Sequence, residues 1–231
     1  MKRFAMFNGK MKMADLIHVK PGLILLLPRF NMPLGIGDKS VNALCEEHGV
    51  SPEFFMLVCN IYSFDDYVPS IEEVLSTDMS PLIGYLEESH RYYLGKRLPH
   101  IAGHIERIAE QVKGTAGSVL KRYFTEYTKE VVAHFGYEEQ HVFPHLEKLS
   151  HGQADKDYMI SSYLPGHTNI EDKLDDLTQI MFKYLPEEVM AYETIGAVFD
   201  ILQLSDDLKK HSLIEEKVLV PYVEHLERRV Q

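Results

Sequence analysis

The sequence predicts an all-α protein: an up-down four-helix bundle preceded by a small helical module. Three observations predict it. From Pro81 onward the apolar residues keep helical periodicity, with few β-branched clusters and little strand-like alternation. The connections between the long periodic stretches are short, which makes consecutive helices antiparallel neighbours. One pattern, His-x-x-x-Glu-Glu-x-x-x-x-Pro, occurs twice, at His134–Pro144 and His211–Pro221, offset by 77 residues. Such an offset is the imprint of a repeated helical pair.

The elements follow in order. Residues 1–62 form a small helical module. A helical pattern from Met11 to Phe30 is broken by Pro21-Gly22 and Pro28, and a Gly/Pro-rich turn follows at Asn31–Ser40. A short helix from Ser40 to His48 stops at Gly49. Ser51-Pro52 is a helix start, a serine cap with proline at the first helical position, and opens a helix to about Ile61. Residues 63–79 read as a linker with one helical turn at most. The bundle occupies 80–231, with helix A over 80–112, B over 116–148, C over 157–184 and D over 187–228. Pro99 either kinks A or marks its true start. Gly114 and Gly117 separate A from B, and Pro186 opens D.

Composition excludes several function classes. The 231 residues are 45% hydrophobic and 26% charged, a soluble globular balance. A net charge of −11 argues against nucleic acid and against an anionic membrane as partners. The longest aliphatic run, Leu23–Leu27, is far short of the roughly 20 apolar residues that span a bilayer. Two cysteines, Cys45 and Cys59, build no disulfide framework, so the reading is a reducing, cytoplasmic compartment with both thiols as buried small hydrophobes.

The repeat selects among the 12 histidines. Its offset pairs His90 with His167, His134 with His211, and Glu138 with Glu215, whereas His100 and His104 fall on Leu177 and Met181. Each half thus has a lone His on its first helix and His-x-x-x-Glu on its second. Residues i and i+4 share a helix face, so imidazole and carboxylate converge on one point. A lone His or a lone His-x-x-x-Glu is more often a surface feature; two copies in phase with two further histidines point to a dinuclear site. Fe, Mn and Zn all accept this nitrogen and oxygen mixture. Glu139 and Glu216 recur too and read as solvent-facing carboxylates or as groups that orient a ligand histidine. Glu171 follows His167 by four residues, but its repeat mate is Leu94. His141, His145, His151 and His225 read as surface or helix-terminal residues. Tyr92, Tyr93, Tyr137 and Tyr163 either flank the site or form plain core.

These residues resemble the hemerythrin-like, or HHE cation-binding, family, most of all its di-iron repair-of-iron-centres subgroup. The family pattern falls on His90, on His134 and Glu138, on His167, and on His211 and Glu215, which the resemblance makes the metal ligands. The likeness extends to the N-terminal module, from Met13-Ala-Asp-Leu-Ile to Cys45-Glu-Glu-His-Gly-Val-Ser-Pro52. Where family members commonly carry a Cys-Cys pair, this turn reads Pro33-Leu-Gly-Ile-Gly37. Oxygen carriers of the wider family place a second histidine on the third helix, and here that position is Glu171, which speaks against a carrier.

The resemblance implies two non-haem irons, oxo- or hydroxo-bridged, with O2, NO or peroxide as the small molecule met. It implies a role in oxidative or nitrosative stress, by repair or protection of damaged iron–sulfur proteins, and allows a homodimer. The alternative is a di-iron sensor, or an iron-binding protein that acts through a partner rather than by turnover. Composition and spacing do not choose between them.

Overall fold

The structure, a computed structural model, describes residues 6–112, 115–154, 157–163, 170–185 and 191–230. Among these the regular elements are helical: α1 (Met13–Val19), α2 (Leu26–Arg29), α3 (Val41–His48), α4 (Pro52–Ser63), α5 (Ile71–Ser76), α6 (Leu82–Tyr92), α7 (Leu98–Gln111), α8 (Ala116–Tyr137), α9 (Phe143–Ser150), α10 (Ile170–Tyr184), α11 (Ala191–Ile214) and α12 (Val220–Val230). The all-α expectation holds, with an isolated antiparallel bridge between Lys12 and Ser40 as the sole β pairing among the described residues. No helix among them is long and apolar enough to cross a membrane. The chain divides into two compact units, Met1–Ser89 with Lys210–Gln231, and His90–Lys209.

In the first unit the Ser51 cap and the Gly49 stop act as the sequence suggests, whereas α5 and its Ser70 cap stand in the stretch read as a linker. Ser40, Ser51 and Ser70 each accept a hydrogen bond from the backbone N–H three residues on, at 3.2, 3.3 and 3.2 Å, and so start α3, α4 and α5. Gly49 ends α3 at φ 66°. The Asn31–Ser40 turn needs left-handed backbone at Asn31, Gly35 and Gly37. The core gathers around α4, where Phe54 and Phe55 are fully buried. Phe30 meets Phe55 edge-on with centroids 4.9 Å apart and stacks on Tyr85 at 5.2 Å. Cys45 and Cys59 are buried and unlinked. Burial pushes the Cys45 thiol up to about 12 and Cys59 well above its ordinary value, so both pack as small apolar groups.

The second unit has one core that takes a stripe from each of four helices. Leu98, Ile101, Ile105 and Ile108 come from α7; Leu120, Phe124, Tyr127, Val131 and Phe135 from α8; Ile170, Leu174, Leu177 and Met181 from α10; and Ala197, Ile201, Leu204 and Leu208 from α11. The alternating steps of three and four residues are one face of a helix. At about 1.5–3 kcal/mol per buried large aliphatic side chain, these stripes hold the unit together.

Three five-residue π turns join consecutive helices, at Tyr93–Arg97, Glu138–Val142 and Glu215–Leu219. Each precedes a helix whose second residue is proline: Pro99, Pro144 and Pro221. Proline offers no N–H and crowds the carbonyl four residues back, so the turn before it widens. Pro99 therefore marks the opening of α7. The third long helix departs from expectation. Met159 is extended (φ −135°, ψ 140°) and Ile160–Ser162 form a 3₁₀ turn, so the stretch from 157 to 163 is not α-helix, and α10 runs from Ile170.

Candidate metal centre

The second unit carries the larger share of the predicted ligands. Glu138 opens the π turn after α8 and is fully buried. Its Oε1 lies 3.2 Å from Nε2 of His134, one turn earlier, and its Oε2 lies 3.2 Å from Nε2 of His90. His90 is also fully buried. Phe135 stacks on its ring at 3.9 Å and 8°, and Phe143 at 5.6 Å and 21°, which fixes the imidazole plane. Tyr163 donates a hydrogen bond to Glu138 Oε1 at 2.6 Å.

Glu139 takes the second of the two roles open to it. Its side chain is 45% exposed, and its Oε1 sits 2.9 Å from His90 Nδ1. A proton on Nδ1 donates to that carboxylate and leaves the lone pair on Nε2, facing Glu138. Two electron-rich atoms face each other there, an arrangement that a cation between them makes favourable. A carboxylate behind a histidine is the usual means of fixing the tautomer and orientation of a metal ligand.

The first unit carries a matching pair. His211 Nε2 is 2.9 Å from Glu215 Oε1, and both side chains are buried. Glu215 opens its own π turn, as Glu138 does. Glu216 is exposed, with Lys217 Nζ at 3.6 Å. His167 and the side chain of Glu171 lie outside the described residues.

The remaining aromatic and histidine readings divide. Tyr163 flanks Glu138, whereas Tyr93 is core, and its hydroxyl donates to the Asp207 carbonyl at 3.4 Å. Tyr137 is 38% exposed and its hydroxyl lies 3.4 Å from that of Tyr158. His141 and His151 are exposed and His225 half-buried. His145, read as surface or helix-terminal, stands in the first turn of α9 and is buried, with the Tyr158 ring edge-on at 5.0 Å. The signal was its spacing, since Phe135, Glu138, Val142 and His145 are one inward stripe stepping by three and four.

The donor set fits a metal. Bonds of about 2.1 Å put neighbouring donors about 3.0 Å apart in an octahedron and about 3.4 Å in a tetrahedron. The His–Glu separations, 2.9 to 3.2 Å, lie at or near that range. Buried His and Glu side chains in this grouping could hold a metal ion.

An all-α chain with a buried His/Glu group of metal-binding type is the class that fold and site define. No family model matches the chain. It is distantly similar to the iron–sulfur cluster repair protein ScdA of Staphylococcus haemolyticus (strain JCSC1435), 24% identical over 189 residues, which cover 79% of this chain and 83% of the relative.

Proposed function

We propose that this is a hemerythrin-like di-iron protein that repairs or protects iron–sulfur clusters under oxidative or nitrosative stress, acting in the cytoplasm. In this reading 80–231 is an up-down bundle, and His90, His134, Glu138, His167, His211 and Glu215 would hold two irons. The observation that carries it is the duplicated pair: two His-x-x-x-Glu sets, each with its glutamate fully buried at the start of a π turn. The similarity to a cluster repair protein supports the same reading.

Two irons so held supply a ferrous/ferric couple with an open position for O2, NO or peroxide. The chain's residues prepare the site. Phe135 and Phe143 hold the His90 ring in place. Glu139 keeps a proton on His90 Nδ1, so that Nε2 is the donor. Tyr163 donates a hydrogen bond to Glu138 Oε1 and so orients that carboxylate. Burial excludes bulk water from His90 and Glu138.

Metal analysis and an optical spectrum of anaerobically reconstituted protein test the reading. The expected result is about two irons per chain with a redox-active band. A preparation that holds a single zinc and shows no such band overturns it. If His134→Ala and His211→Ala leave thermal stability unchanged with and without iron, the chain is a metal-free interaction protein instead.

One observation favours a sensor as the second reading. His211 and Glu215 belong to the same compact unit as the N-terminal module, where α12 packs on α5. A change at that pair then has a route to the module through α5, in the linker. Oxidised and reduced protein would differ in self-association or partner binding without turnover.

A further inference from the structure

The repeat leaves His100 and His104 without mates, and the centre proposed above uses neither. They stand one turn apart on α7, and Asp200 of α11 reaches them within the same compact unit. Three donor atoms converge: His100 Nε2 and His104 Nε2 are 3.3 Å apart, and Asp200 Oδ2 is 3.1 Å from the first and 3.4 Å from the second. Four-coordinate Zn2+, with bonds of about 2.0–2.1 Å, requires donor-to-donor edges of about 3.3 Å. The triangle already has those edges, so one point lies at bonding distance from all three.

The surroundings aim these atoms. His104 Nδ1 is 2.7 Å from Glu193 Oε1. Arg107 donates to the same oxygen at 2.7 Å. Beside an ionised carboxylate Nδ1 carries the proton and Nε2 the lone pair, the tautomer of a metal ligand. Arg107 Nη2 also lies 3.1 Å from Nδ1, where as a donor it competes with that proton. Arg97 Nη2 donates to Asp200 Oδ1 at 3.2 Å, to the Asp200 carbonyl at 3.1 Å and to Gln203 Oε1 at 3.0 Å, which turns Oδ2 toward the histidines. The His100 side chain is 56% exposed, so water has access to a fourth position. Hydrogen bonds alone explain the pairwise contacts, but they do not call for three nearly equal edges meeting at one point. Asp200 and Glu193 are offset by Arg97 and Arg107, so a bound dication gains no net attraction from the cluster. The site is therefore moderate in affinity rather than buffer-tight.

We infer that His100, His104 and Asp200 form a second, mononuclear metal site, open to solvent, that takes Zn2+ through two imidazoles, one carboxylate and water, with Glu193 orienting His104. Bound there, zinc clips α7 to α11 and stabilises the folded state by mass action.

The full chain, loaded with iron, is titrated with Zn2+ against a chromophoric chelator. His100→Ala, Asp200→Asn and the exposed control His151→Ala are run beside it. Wild type and H151A are expected to take up about one zinc per chain that H100A and D200N lack or bind at least about tenfold more weakly, and Glu193→Gln to weaken binding about tenfold. Zinc should raise the thermal midpoint of wild type and not of H100A, whose exposed side chain puts folding at no risk. Equal zinc uptake and equal thermal shifts in wild type, H100A and D200N overturn the site. All samples share the same buried His/Glu group, so a failure of the iron reading changes them alike and is told apart from a failure here.

Discussion

At the residue scale the candidate centre turns on what surrounds each ligand. His90 and Glu138 were legible because a 77-residue offset and a four-residue spacing are properties of the chain itself. Glu139 was legible only as a choice between solvent and support. Its position 2.9 Å from His90 Nδ1 depends on α6 and the π turn coming together in three dimensions. His145 was read as surface or helix-terminal; it stands in the first turn of α9, and its burial follows because it continues the stripe of Glu138 inward. Glu139→Gln is the test at this scale. Metal affinity is expected to fall about 10–100-fold, measured by chelator competition. The melting temperature of metal-free protein should hardly change, because the side chain is half exposed. Equal affinity would remove Glu139 from the site.

At the element scale the Ser51 cap and the Gly49 stop were legible, since a cap is a contact within four residues. The three π turns were not. Each proline was visible as a breaker, but whether a helix ends or widens there depends on packing on both sides of it. The non-helical stretch ahead of α10 was hidden for a related reason: periodic apolar residues run through 157–163 without requiring α-helix. Gly117 shows how closely α7 and α8 approach. A Cβ there would lie 2.6 Å from the Ala109 carbonyl oxygen, backbone that cannot move aside alone. Gly117→Ala is expected to destabilise the protein by about 1–3 kcal/mol, measured by denaturant unfolding. An unchanged midpoint would mean that the two helices separate without cost.

At the scale of the whole molecule the surface is tied by ion pairs that respond to acid. Lys39 holds Glu47, Lys210 holds Asp65, Lys209 holds Asp175 and Arg107 holds Glu193 below the ordinary carboxylate range, chiefly by hydrogen bonding from the cation. The folded state therefore binds fewer protons than the unfolded state in mild acid. The contribution is complete above the unfolded values, about 3.9 for Asp and 4.3 for Glu, and is lost as pH falls through the lower folded values. Unfolding free energy should fall with pH below about 5, and less steeply in high salt, because at least one partner of each pair is exposed. Denaturation curves at several pH values and two ionic strengths check both signs. Bound metal would steepen the acid loss, since its histidine and glutamate ligands protonate.

The sequence by itself determined the helical class, the Ser51 cap and the Gly49 stop, and which histidines and glutamates belong to the repeat. These follow from spacing along one helix, where neighbours three and four residues apart must share a face. Only the tertiary structure decided that Glu139 stands behind His90, that Tyr163 reaches Glu138, and that His100 and His104 find Asp200 a hundred residues away. Those contacts join elements far apart in the chain, and no local periodicity encodes which faces meet once apolar burial has packed them.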